Sequence, residues 1–136
     1  MSGRRLAFAA AAESFVGSPF RFRGRDSKTG LDCVGLVAAA LSQLGDSVPE
    51  LAPYSMRQRD FDVQLGRASV AGFAEVVGLL EAGDLLLLRP GPAQVHLAIV
   101  GGSAGLVHAH AGLGRVVMTP LPCPMPIERH WRLRED

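Results

Sequence analysis

A carboxylate, a thiol and three imidazoles are the groups of this chain best suited to chemistry. Asp32 and Cys33 stand side by side before an apolar, alanine-rich run, and His96, His108 and His110 follow in the second half. A cysteine attacks a carbonyl as its thiolate, and an unperturbed thiol has a pKa of about 8.5. A helix start lowers that value, because unpaired backbone N–H groups point at the sulfur. The same N–H groups can hold the oxyanion formed on an attacked carbonyl. Cys33, following the N-cap candidate Asp32, is therefore a candidate nucleophile with a lowered pKa. Gly35, two residues on, lets backbone or substrate come close. The competing reading is a small buried core residue, a common fate of free cysteine.

A thiol nucleophile needs a base, and the base needs an orienting partner. His96 opens an apolar run just after a Pro/Gly turn, where a strand side chain can face a cleft. By period-two alternation His96, Ala98 and Val100 share one strand face, and Leu106, His108 and His110 share a face of the next. If Val100 and Leu106 flank the intervening turn, a hairpin brings His96 near both later histidines. A small change in loop pairing exchanges His108 and His110, so the third position is open between them. Either would fix the tautomer of His96 and aim its other ring nitrogen at the thiol. The three histidines also suit a metal. That reading supplies no carboxylate base and leaves Cys33 without a role, so neither metal nor cofactor is expected. His130 reads as a satisfied, half-buried strand residue.

The elements that must position these groups are legible from patterning. Residues 3–16 are rich in helix formers and stop at Gly17-Ser18-Pro19. Residues 20–30 read as an irregular loop. Residues 31–44 read as a helix with Asp32 as N-cap and Gly45 closing it. A further helix is expected over 55–68, while 70–80 fits helix or strand. Short apolar runs at 85–88, 96–100, 106–110, 115–119 and 127–133, with Gly and Pro between them, predict an antiparallel meander of about five strands. Helices first and strands after give an α+β domain.

The 136 residues, 48% hydrophobic and 20% charged, suit one globular domain over 1–136. A net charge of +1 gives no support for a nucleic-acid partner held by bulk charge. No apolar run approaches the roughly 20 residues of a spanning helix. Arg4 and Arg5 precede a short apolar stretch that Glu13 interrupts, which reads as the first helix rather than a signal peptide. Arg21, Arg23 and Arg25 alternate along the loop. They read as a solvated edge, with a carboxylate-binding pocket as the alternative. Cys33 and Cys123 lie far apart in dissimilar contexts without a CxxC pair, which argues against a disulfide or a structural zinc site.

Several segments together resemble the NlpC/P60 family of cysteine peptidases. They are Gly17-Ser18-Pro19-Phe20-Arg21-Phe22-Arg23-Gly24, Gly30-Leu31-Asp32-Cys33-Val34-Gly35, Gly83-Asp84 with its leucine run, His96-Leu97-Ala98-Ile99-Val100-Gly101, and Val107-His108-Ala109. The order Cys, His, His and the distances between them match as well. The resemblance implies a papain-like α+β fold with N-terminal helices packed on the sheet. It implies hydrolysis of amide bonds in peptidoglycan stem peptides, typically between D-glutamate and a diamino acid. Carried over, Cys33 is the nucleophile, His96 the base and His108 the orienting residue. Asp32 would shape the substrate site, with Phe20, Arg23, Tyr54 and His110 as further candidates. The chain departs from the family at Phe20, where tyrosine is common, and at Val34, where serine is common. Its compact size resembles the phage- and gene-transfer-agent-type members, which implies phage-tail-like partners and delivery to the cell wall after cytoplasmic synthesis. An inactive tail or wall-binding module of the same fold is the rival. Transamidation or acyl transfer through the same thioester is a third reading.

Overall fold

The computed structural model describes residues 3–45, 72–92, 94–103 and 105–135. The expected helix over 55–68 and Tyr54 lie outside them. Helix α1 (Gly3–Ser14) is built on alanines and buries Phe8, Ala9, Ala11 and Ala12. Its first amides are capped from the far end of the sequence: the Arg4 and Arg5 backbone N–H groups donate to the Glu135 carboxylate, each at 3.2 Å. Residues 20–30 are more ordered than an irregular loop. Strands β1 (Arg25–Asp26) and β2 (Gly30–Leu31) form a small antiparallel ribbon.

Helix α2 (Cys33–Gln43) begins where the sequence places it. Asp32 has an extended backbone, and its carboxylate accepts the Gly35 N–H at 2.7 Å. Leu44 is the C-cap and Gly45 follows at φ +83°, a conformation glycine adopts without a Cβ clash.

Six strands form the main sheet: β3 (Phe73–Glu75), β4 (Leu85–Gly91), β5 (Gln94–Val100), β6 (Gly105–His110), β7 (Arg115–Pro120) and β8 (Ile127–Leu133). Their order is β3-β8-β4-β5-β6-β7, all antiparallel. The α+β class holds, and β4 to β7 form the expected meander. The last strand does not extend it. β8 returns to the middle of the sheet, between β3 and β4. Burial explains this: Trp131 and Leu133 are 3% and 0% exposed there, which an outer edge beyond β7 would not provide.

Alternation gives the sheet two apolar faces. Leu85, Leu87, Leu97, Ile99, Val107 and Val116 join α1 and α2 in the larger core. Leu86, Leu88, Ala98, Val100 and Leu106 form a second cluster, covered by Leu80, Leu121, Cys123 and Met125. A buried polar cluster stitches the sheet together. The Asp84 carboxylate, fully buried before β4, accepts from His130 Nε2 at 2.5 Å and from Arg132 Nε and Nη2 at 2.9 and 3.0 Å. It also accepts the Glu81 amide at 2.8 Å.

Candidate active site

Position 33 is the first helical residue of α2, and two features of the sequence hold it there. Asp32 is fully buried, and its carboxylate binds three groups: the Gly35 N–H, the Arg23 N–H at 2.8 Å and Arg25 Nη1 at 3.1 Å. This one side chain therefore caps the helix and pins the preceding loop to it. Arg23 adopts φ +62°, unusual for a residue with a side chain, which turns its amide toward that carboxylate. The close approach that Gly35 permits is made by the protein itself. A Cβ there would collide with the Gly24 carbonyl oxygen.

The thiol sits where β5 and β6 part. These strands pair at Ile99↔Val107 and Val100↔Leu106. The Val100 N–H bonds back to Asp84 O, and the Gly101 N–H bonds forward to Gly105 O, at 2.8 Å each. Alternation therefore turns the Leu97 N–H to the β6 side. There it faces the Cys33 sulfur, and together with the helix-start amides of Val34 and Cys33 it favours the ionised form. The Leu97 nitrogen is the amide joined directly to His96, so the thiol lies against the segment that carries the candidate base.

The histidines are resolved by geometry. His96 Nε2 lies 2.9 Å from His108 Nδ1, with the rings edge to face. His108 Nε2 lies 2.8 Å from the Thr119 hydroxyl. His110 is engaged differently: its Nδ1 accepts the Leu113 N–H at 3.0 Å inside the β6–β7 turn. Of the two histidines left open by the sequence, His108 is the one bonded to His96. Among the described residues no group of three or more His, Cys, Asp or Glu side chains is arranged to hold a metal. His96 Nε2, both His108 nitrogens and His110 Nδ1 are engaged by one another and by neighbours.

Electrostatics correct one expectation. Cys33 is 1% exposed, and burial, reinforced by the adjacent Asp32 charge, pushes its pKa up to about 12. The helix-start amides and the Leu97 amide pull the other way, and desolvation wins. The resting sulfur is a thiol rather than the lowered-pKa thiolate expected at a helix start. His96 moves in the opposite sense, down to about 4, through burial and then the charges of His108 and His110. His108 is also lowered, by burial and His110. The resting pair is therefore a neutral thiol and a neutral imidazole.

The other candidates are more dispersed. Phe20 is half-buried against the larger core and is held by the Gly114 carbonyl through its own N–H at 2.9 Å. Arg23 is exposed, with its guanidinium 5.3 Å from the centre of the Phe22 ring. Arg25 is not a simple solvated residue, since it pairs with Asp32. His130 is buried on Asp84, away from the histidine pair in sequence and in bonding. Both cysteines are free. Thr119 was not evident from the sequence. The only signal is its position on β7, where Leu106↔Thr119 and His108↔Val117 pairing puts it on the His108 face, and this requires the register.

Comparisons with known proteins converge on one group. The family model described as "NlpC/P60 family" matches residues 17–135. No curated protein matches the chain. Among solved structures, the NlpC/p60 domain of peptidoglycan hydrolase SagA is 22% identical with TM-score 0.62, over 90% of this chain and 95% of that one. The P60 domain of the M. avium subspecies paratuberculosis antigen MAP1204 is 19% identical with TM-score 0.63, over 98% and 96%. NlpC2 from Trichomonas vaginalis is 18% identical with TM-score 0.72, over 96% of this chain but only 47% of its own. At these identities the structural matches speak to the fold. The family model spans the α2 start, the paired histidines and β8 alike, and the chain belongs to the NlpC/P60 family.

Proposed function

We propose that this chain is a cysteine hydrolase that cleaves an amide bond in peptidoglycan stem peptides through a thioester on Cys33. The observation that carries this reading is the gap between β5 and β6. A thiol at the start of α2 faces the Leu97 amide of the segment bearing His96, and His96 is hydrogen-bonded to His108. Family membership and the peptidoglycan hydrolase named among similar structures support the substrate class. The bond between D-glutamate and a diamino acid is the expected target, with Arg23 and Phe20 on the loop before Cys33 as substrate contacts.

The neutral resting pair sets the order of steps. His96 takes the Cys33 proton as sulfur attacks the carbonyl carbon, so that no free thiolate need accumulate. The Cys33 and Val34 amides hold the oxyanion. His96, whose imidazolium is disfavoured by burial, readily gives its proton to the leaving amine. Water, deprotonated by His96, then hydrolyses the thioester and restores the thiol. Because Cys33 is buried, substrate entry must open the gap around it. That burial also favours a second reading, a wall-binding module that retains the site without turnover.

The test is release of product from a purified stem peptide, followed by mass spectrometry. Cys33→Ala and His96→Ala should each lower the rate by about a thousandfold or more. Normal turnover by Cys33→Ala would sink the hydrolase reading. A wild-type protein that binds the peptide but never cleaves it would establish the binding module.

A further inference from the structure

Resting on the reading of His96 as base, we propose that Thr119 is a positioning residue, the last link of a chain that fixes which nitrogen of His96 is basic. His96 Nε2, His108 Nδ1, His108 Nε2 and the Thr119 hydroxyl follow one another at 2.9 and 2.8 Å. A neutral imidazole has one N–H and one lone pair, so a run of such bonds has only two self-consistent polarities. In one, His96 Nε2–H donates to His108 Nδ1, and His108 Nε2–H donates to the Thr119 oxygen. His96 Nδ1 then carries the lone pair. In the other, every proton is reversed, and His96 Nδ1 carries a hydrogen and cannot accept one.

The reaction requires the first polarity. When His96 takes the thiol proton, both its nitrogens bear hydrogen, and Nε2–H must find an acceptor. His108 Nδ1 is that acceptor only if the His108 proton is on Nε2. In the reversed polarity two N–H groups would oppose one another across 2.9 Å. Thr119 therefore acts on the base at one remove, as an acceptor for His108 Nε2–H. Its own hydrogen must then point away from His108, since donating it to Nε2 would impose the reversed polarity. The sheet holds it in place: Thr119 pairs with Leu106 on β7, and Val117 pairs with His108, so Thr119 reaches His108 on the diagonal of one face. A valine there has the same branched shape and no acceptor, whereas a serine keeps the oxygen.

The experiment is nitrogen NMR of 15N-histidine-labelled protein without substrate, on wild type, Thr119→Val and Thr119→Ser. Wild type should show His96 and His108 both protonated on Nε2. Thr119→Val should shift His108 toward the Nδ1–H tautomer and disturb the His96 signals, while Thr119→Ser should restore the wild-type pattern. On a stem peptide, Thr119→Val should lower kcat by about tenfold with KM little changed. A wild-type spectrum with His108 protonated on Nδ1 would overturn the proposal, even if no variant folds. So would a Thr119→Val spectrum identical to wild type. If Cys33→Ala kept full activity while these tautomers were found, the hydrolase reading would fall and the Thr119 assignment would stand.

Discussion

At Cys33 two influences meet on one sulfur. Helix-start amides favour the thiolate, and burial with a neighbouring carboxylate favours the thiol more strongly. Iodoacetamide at pH 7 should therefore label half-exposed Cys123 before Cys33, which peptide mapping would show. Faster labelling of Cys33 would contradict the burial described here. His96 gives a second prediction. Its pKa falls from 6.5 to about 4 on folding, so between those values the unfolded chain binds a proton that the folded chain does not. Stability from this group is thus present above 6.5 and is lost as pH falls toward 4. His96→Gln should narrow the gap between urea midpoints measured at pH 7 and pH 4.5. For the same reason the acid limb of kcat/KM should lie near 4 rather than near 6.5. The types and order of Cys33, His96 and His108 were readable in the sequence. The thiol's burial was one of two open readings there, because it depends on what packs over residue 33. Thr119 was not readable, because it adjoins His108 only through strand register.

Among the elements, α2 is the one whose start the sequence specifies most fully, and Asp32 carries most of that specification. A capping side chain contributes about 1 kcal/mol, and stranding a buried donor costs about 1–3 kcal/mol more. Asp32→Ala should thus destabilise the protein by roughly 2–4 kcal/mol, measured by urea unfolding, and should release the Arg23 loop as well as the helix. A loss below about 0.5 kcal/mol would show that Asp32 is not the tie described. Gly35→Ala should also fail to pack, because the Gly24 carbonyl occupies the place of the new Cβ. The N-cap and apolar run of α2 announced themselves through local chemistry, as did β4 to β7 through alternation and turns. The ribbon of β1 and β2 did not, since two-residue strands leave no period to read.

For the molecule as a whole, the long-range ties decide the architecture. Burial pushes the Asp84 carboxyl up, and hydrogen bonds from Arg132, His130 and Glu81 more than offset it, holding it below the ordinary range. Removing one partner of such a buried group costs about 3–5 kcal/mol. Asp84→Ala should show a loss of that size in urea unfolding, without any change in the histidine chain's nitrogen spectra. The sequence made the α+β class plain. It could not reveal that β8 crosses back between β3 and β4, because strand order depends on partners some sixty residues apart, as Phe73↔Leu133 shows.

That placement of β8 has a consequence for synthesis. A ribosome releases residues in order, yet this strand from the interior of the sheet emerges after every other strand it joins, together with Glu135, which caps α1. Until residues 127–135 are free, β4 keeps an open edge and α1 an uncapped start. Nascent chains halted after Pro126 should therefore be digested rapidly by protease, and chains released through Glu135 should resist it. The sheet is thus sealed from within by the strand made after all its neighbours, and the fold waits on its final piece.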